Sequence, residues 1–202
     1  MKKLLILFSL ALGACLTTGK RGGDTPMAVY DFGPPPVRAT ATVGLPPLAI
    51  EVRAPYWLDS LGIGYRLAYA DAARLRDYGQ ARWAGPPAVL VEQRLIQILG
   101  LVPPGQGGAR CLIRLDIEEF SQVFGTPAGS HGVLQARASL LDRSRSKREE
   151  LALRIEKPAP TADSRGGVTA LTAAADQAAA DIGAWREELA HSGRLKGCER
   201  PG

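Results

Sequence analysis

Gly64-Tyr65-Arg66-Leu67-Ala68-Tyr69 leads through a charged segment, Asp71 to Asp77, into Tyr78-Gly79-Gln80-Ala81-Arg82-Trp83-Ala84-Gly85-Pro86-Pro87. Ile63, Tyr65, Leu67 and Tyr69 share one parity and Gly64, Arg66 and Ala68 the other, which is the period-2 pattern of a half-buried strand. The charged segment suits a turn or a short helical excursion. Tyr78 and Trp83 then supply large apolar area on a second strand. Pro86-Pro87 opens a helix, because the first helical turn has no use for the N–H that proline lacks.

Working outward, Leu48, Ile50, Val52 and Ala54 alternate with Ala49, Glu51 and Arg53, the pattern of a first strand. Ala54-Pro55-Tyr56-Trp57-Leu58 leaves it. Trp57 either caps the core or faces a partner, and its bulk favours the core. After Pro87, Ala88, Val91, Leu95, Ile98 and Leu99 fall at helical spacing, with Gly100 where a C′ glycine ends a helix. Val102 to Gly108 reads as a Pro/Gly loop. Ile113, Leu115 and Ile117 then alternate with Arg114, Asp116 and Glu118, and the apolar parity shifts to Phe120 and Phe124. One extra residue near Glu118-Glu119 restores the apolar side, which predicts a β-bulge there. Leu134, Ala136, Ala138 and Leu140 form the next strand. Asp142 to Arg148 is a solvated hairpin tip, and Leu151, Leu153 and Ile155 return from it. Leu171, Ala175, Ala178, Ile182, Trp185 and Leu189 make one long apolar helical stripe, and His191 to Gly202 reads as a polar tail. The expected fold class is therefore α+β: a mostly antiparallel sheet of five to six strands with two helices packed on one face.

The amino terminus reads as a sorting signal. Met1-Lys2-Lys3 is basic, Leu4 to Leu12 is apolar but too short to span a bilayer, and Leu12-Gly13-Ala14-Cys15 resembles the lipobox of bacterial lipoproteins. Residues 1–14 are then a signal peptide and Cys15 the lipid-attachment residue. Leu16 to Pro47 is rich in Thr, Gly and Pro, so 15–47 is expected to be a tether, with Tyr30-Asp31-Phe32-Gly33 available to dock on the domain. That domain is placed at 48–190 and the tail at 191–202.

The Tyr-Arg-x-x-Tyr…Tyr-x-x-x-x-Trp-Ala-x-Pro-Pro core, carried here by Tyr65, Arg66, Tyr69, Tyr78, Trp83, Pro86 and Pro87, resembles that of the ABC-type transport auxiliary lipoproteins, the PqiC-like family. The resemblance runs from about Tyr30 to Trp185, and its motifs serve packing or partner docking rather than chemistry. It implies a non-catalytic subunit of a system that pairs an ATPase and a permease with an MCE-domain protein moving lipids across the envelope. The expected partners are the MCE-domain protein and the ABC transporter subunits. Leu16 is not the aspartate associated with inner-membrane retention, which points to an outer-membrane anchor facing the periplasm. Long strand edges leave a homo-oligomer open. The rival reading is a structural lipoprotein that assists an outer-membrane assembly or binds the cell wall.

Composition narrows the remaining classes. The chain has 202 residues, 46% of them hydrophobic and 22% charged, enough for an ordinary core. Its formal charge of +5 falls to +3 (5 − 2) without Lys2 and Lys3 of the signal segment, which is mild and scattered and comes without an aromatic-plus-basic motif, so nucleic acid is not an expected partner. His131 and His191 lie apart with no ligand-spaced Cys or His, and neither a nucleophile elbow nor a phosphate loop is present; the expectation is no enzyme, no cofactor and no metal. In an oxidising periplasm Cys111 and Cys198 either form a disulfide or remain as a buried and a free thiol.

Overall fold

The structure, a computed structural model, describes residues 26–36 and 44–199. Cys15 and the signal segment lie outside the described residues. Seven strands form one sheet: β1 (Ala28–Tyr30), β2 (Leu48–Arg53), β3 (Gly62–Leu67), β4 (Leu75–Trp83), β5 (Cys111–Phe124), β6 (Ser130–Leu141) and β7 (Lys147–Pro158). Two long helices accompany them, α2 (Pro87–Leu99) and α3 (Ser164–His191), with a single helical turn α1 (Ala68–Asp71) and a 3₁₀ turn at Lys196–Cys198. The α+β class holds.

The sheet order is β1-β4-β3-β5-β6-β7, with β2 beside β5. The expectation of a mostly antiparallel sheet of five to six strands needs correction: the sheet has seven strands and is mixed. β3·β4, β5·β6 and β6·β7 are antiparallel, but β1·β4, β2·β5 and β3·β5 are parallel. The reason is connectivity: β2 and β3 reach β5 only through α2, and a crossover through a helix returns the chain in the same direction. Alternation identifies strands, not their neighbours.

β5 is the axis of the sheet. β6 pairs along one edge; on the other, β2 pairs with Cys111–Asp116 and β3 with Gln122–Phe124, end to end. At the fork between them, β5 bulges: Ile117 faces Ala136 and Glu119 faces Gln135, leaving Glu118 as the extra residue. Cys111, Ile113, Leu115 and Ile117 point into the core before the bulge, and Phe120 after it. This is the predicted parity shift, observed where the sequence placed it.

Both long helices cover that core face. Pro87 stands at the start of α2, and Gly100 ends it in the left-handed region at φ 64°, donating to Ile96 O. The whole Leu171–Leu189 stripe of α3 is buried. Asp163 caps α3 by accepting from Gly166 N at 2.9 Å, so the helix begins at Ser164, earlier than the apolar stripe indicated. Small residues let α3 lie close to the sheet, since a Cβ at Gly132 would come within 2.8 Å of the Ala170 backbone.

Four further expectations change. Within the 15–47 stretch read as tether, Ala28–Tyr30 forms β1 at the sheet edge, while Phe32, in the Tyr30–Gly33 segment expected to be available for docking, enters the core. Tyr69, read as the end of a strand, sits in α1 with half its surface exposed, because the chain turns at Ala68. Trp57, favoured for the core, is 54% exposed. The polar tail buries Leu195 and Cys198, and Cys198 is joined to Cys111 on β5 by a disulfide spanning a Cα–Cα distance of 5.2 Å.

Candidate functional site

The motif residues divide into a scaffold and a small exposed surface. Trp83 ends β4 fully buried, in register with Tyr30 of β1. Its ring meets Phe32 edge-on at 5.6 Å and Phe120 at 6.0 Å, while Phe32 and Phe120 are 6.1 Å apart. This aromatic triangle ties the N-terminal segment to the middle of the sheet. Pro86 and Pro87 follow Trp83 and turn the chain into α2, which carries Arg94 back to the same place.

Arg94 is 2% exposed. Its guanidinium donates to the Phe32 carbonyl and more weakly to Gly33 O at 3.4 Å, and lies 5.7 Å from the Phe32 ring centroid. Nε stands 3.0 Å from Asp176 Oδ1 on α3; the contact is ionic rather than a directed hydrogen bond. Burial raises the Asp176 carboxyl above its ordinary value, and the Arg94 charge opposes that shift. One arginine thus joins the N-terminal segment, α2 and α3. Arg186 plays a parallel part on α3. It donates to Leu99 O at 3.2 Å, the C-terminal end of α2, and to Pro46 O at 3.0 Å, just ahead of β2. Its burial lowers its pKa.

Tyr65 and Tyr78 form a second group, with ring centroids 4.6 Å apart and Phe124 6.1 Å from Tyr65. Tyr78 donates to Gln122 Oε1 at 2.7 Å, and Gln122 Nε2 donates to Ser130 Oγ at 2.8 Å. Burial, with the neighbouring Tyr65 and Asp163, pushes the Tyr78 phenol upward, so it is a protonated donor at any physiological pH. Gly167 at the start of α3 leaves room for Gln122; a Cβ there would overlap its amide. Arg66 points to the opposite side, pairing with Glu119 at 2.9 Å and donating to the Ala72 and Ala73 carbonyls. It staples the α1 turn to β5. Of the motif residues only Tyr69 presents much surface.

The most exposed aromatic surface lies instead at the fork. Tyr56 is 84% exposed and packs edge-on against Trp57 at 5.1 Å, with Leu61 exposed nearby in sequence. Trp57 lines a cleft of about 380 Å³ with Arg53, Pro55, Asp116, Ile117 and Glu118. The loop that carries the pair exists because β2 stops at Arg53 and β3 joins β5 only from Gln122 onward. The sheet face away from the helices carries ion pairs beside a small apolar cluster of Ala49, Leu112 and Leu141: Glu51 pairs with Arg53, Arg114 and Arg145, and Arg137 with Glu118 and Glu150. These are exposed pairs of small energetic weight. Among the described residues no three His, Cys, Asp or Glu side chains come together as a metal site, and His131 meets only Glu156 at 3.4 Å. No helix among them is long and apolar enough to cross a membrane.

The model of the ABC-type transport auxiliary lipoprotein component family matches residues 30–183. The chain belongs to this family. The match starts at Tyr30, so the aromatic triangle and the Arg94 clasp fall within it. Solved structures share this fold. One is XCC0632 from Xanthomonas campestris, assigned to DUF330, at TM-score 0.68 and 18% identity, covering 83% of this chain and 99% of that one. Another, described as an uncharacterized protein, gives a TM-score of 0.60 at 16% identity, covering 79% and 97% respectively. At such identities the likeness concerns the fold alone. No curated protein matches the chain.

Sequence reasoning missed the two buried arginines and the fork. Arg94 had a signal, since it lies three residues after Val91 and four before Ile98, inside the apolar stripe of α2. Arg186 likewise follows Ile182 by four on α3.

Proposed function

We propose that this chain is a non-catalytic, lipid-anchored periplasmic subunit of an ABC-type, MCE-linked lipid transport system, attached to the outer membrane through acylated Cys15. The observation that carries the proposal is the family match over residues 30–183. The amino-terminal Leu12–Cys15 lipobox and the Thr/Gly/Pro-rich stretch after it supply an anchor and a reach from the membrane. The domain's role is to dock on the MCE assembly and stabilise it, while ATP hydrolysis belongs to another chain. Tyr56 and Trp57 are the docking residues on this reading, being rigid aromatics offered to solvent from a closed scaffold.

Crosslinked co-purification from intact membranes tests it, comparing wild type, Cys15→Ala and Trp57→Ala. Recovery of MCE and ABC components, weakened by either substitution, is the expected result. Recovery of an outer-membrane barrel or cell-wall fragments alone would make this a structural lipoprotein, with the family likeness confined to fold.

A further inference from the structure

Where the C-terminal segment crosses the β6–β7 hairpin, the surface opens into a cavity of about 520 Å³, a size typical of small-molecule sites. Its floor is apolar: the buried side chain of Leu140 and the Cys111–Cys198 disulfide. Its rim is cationic, with Arg143, Arg148 and Arg194, against two carboxylates, Asp142 and Glu149.

The three arginines are not equivalent. Arg148 is neutralised by Asp142 at 2.6 Å, and Arg194 by Glu149 and Glu188, each at 2.9 Å. Arg143 has no ion pair and no hydrogen bond among the described residues. Its backbone is held in place by the hairpin tip. Asp142 accepts from Ser144 N at 2.8 Å, Ser144 Oγ at 2.6 Å and Ser146 N at 3.0 Å, which organises the hairpin tip around its own carboxylate. These bonds hold the Asp142 carboxyl at about 2, so the tip is formed throughout the physiological range. Arg145 at the same tip adopts φ 64° and turns to Glu51 at 3.4 Å, away from the cavity. The tip therefore offers one uncompensated guanidinium fork beside an apolar floor.

We propose that this cavity binds a small amphiphilic anion, its apolar body against Leu140 and the disulfide and its acidic head on Arg143. A guanidinium fork matches a carboxylate or phosphate bidentately, and the unpaired Arg143 charge disfavours a cationic head. The proposal is independent of the transport reading, since it concerns neither the Tyr56–Trp57 loop nor the anchor.

Titration calorimetry on the full chain in lipid nanodiscs, with lipid-only nanodiscs as blank, tests it using hexyl phosphate, hexanol and inorganic phosphate. Hexyl phosphate should bind saturably, and both hexanol and inorganic phosphate at least about tenfold more weakly, which corresponds to about 1.4 kcal/mol. Arg143→Ala should weaken hexyl phosphate by about tenfold or more, while Arg143→Lys loses less and Arg145→Ala leaves it unchanged. All these positions are exposed, so the fold survives the substitutions. Equal binding of hexyl phosphate to wild type and Arg143→Ala, or an equal loss in Arg145→Ala, overturns the proposal. So does hexanol or inorganic phosphate matching hexyl phosphate, or no saturable binding at all.

Discussion

Replacing Arg94 with methionine keeps an unbranched stem in the core and removes the charge that three segments share. The wild-type side chain is 2% exposed, so water cannot take over its contacts. The Phe32 carbonyl loses a charged donor, a bond of about 1.5–3 kcal/mol. The Phe32 ring loses a cation 5.7 Å away, about 1 kcal/mol. Asp176 loses its only ion-pair partner among the described residues, and breaking a buried pair costs about 3–5 kcal/mol in all. Asp176 is partly exposed, so the lower end is expected, about 3 kcal/mol. For a chain of this size that is about 6–12 °C in Tm.

The pH dependence separates this account from simple repacking. Asp176 has a folded-state pKa above its ordinary value of 3.8, raised by burial and restrained by Arg94. Without Arg94 it rises further. A carboxyl with a raised folded pKa stabilises the protonated folded state at low pH, and that contribution is lost as pH climbs through the folded value. The penalty of Arg94→Met is therefore full at pH 7 and shrinks as pH falls toward the acid range. Urea unfolding followed by far-UV circular dichroism at pH 7.5 and pH 4.5 measures both quantities. A loss below about 1 kcal/mol at pH 7.5, or one that does not narrow at pH 4.5, would refute the clasp. Limited proteolysis adds a local readout, since cleavage near residues 26–36 should quicken in the variant.

Gly132→Ala places a methyl 2.8 Å from the Ala170 backbone and should cost about 1–3 kcal/mol by calorimetry; Gly79→Ala, with nothing within 4 Å, should be near neutral. Removing the Cys111–Cys198 bond with a double serine substitution releases a loop of sequence separation 87, about 4–5 kcal/mol in the chain-entropy model. Reductant should lower the Tm of wild type and leave the double variant unmoved. Trp57→Ala, by contrast, should change stability by less than about 0.5 kcal/mol, because the ring is largely solvated; a larger drop would return Trp57 to the core.

Much of the domain was legible because its elements bury one face with a clean period. The Leu171–Leu189 stripe, the Gly100 stop and the bulge at Glu118 each follow from local spacing, and each sits in the structure where spacing put it. What spacing does not carry is partnership between distant segments. β1 has three residues, too few for a period, and belongs to the sheet only because β4 offers an edge to it. Tyr30–Gly33 reads as able to dock, but its spacing does not say where, and only the fold shows that Trp83 and Phe120 have a place for the Phe32 ring. Arg94 and Arg186 read as surface residues by type, and only the carbonyls brought beside them by α2, α3 and the N-terminal segment make burial tolerable.

The same limit governs the candidate site. The stretch from Tyr65 to Pro87 lies within the family match, but its residues mostly serve to close the sheet, through Tyr65 on Tyr78, Trp83 on Phe32 and Phe120, and Arg66 on Glu119. The surface available to a partner arises one step away, from topology. Two strands share one edge of β5, so the chain between them has to leave the sheet at Ala54 and return at Gly62. Two of the other edges, β2 and β7, give a partner little purchase. Glu92 and Val102 occupy the backbone of β2, with Val52 N donating to Glu92 Oε2 at 2.9 Å and Ile50 N to Val102 O at 3.0 Å. β7 is guarded by Lys147, Arg148, Arg154 and Lys157. The detour at the fork therefore puts Tyr56 and Trp57, the most exposed aromatic side chains among the described residues, into solvent side by side, which is why the proposed partner contact lies on that loop rather than on the Tyr65–Pro87 stretch.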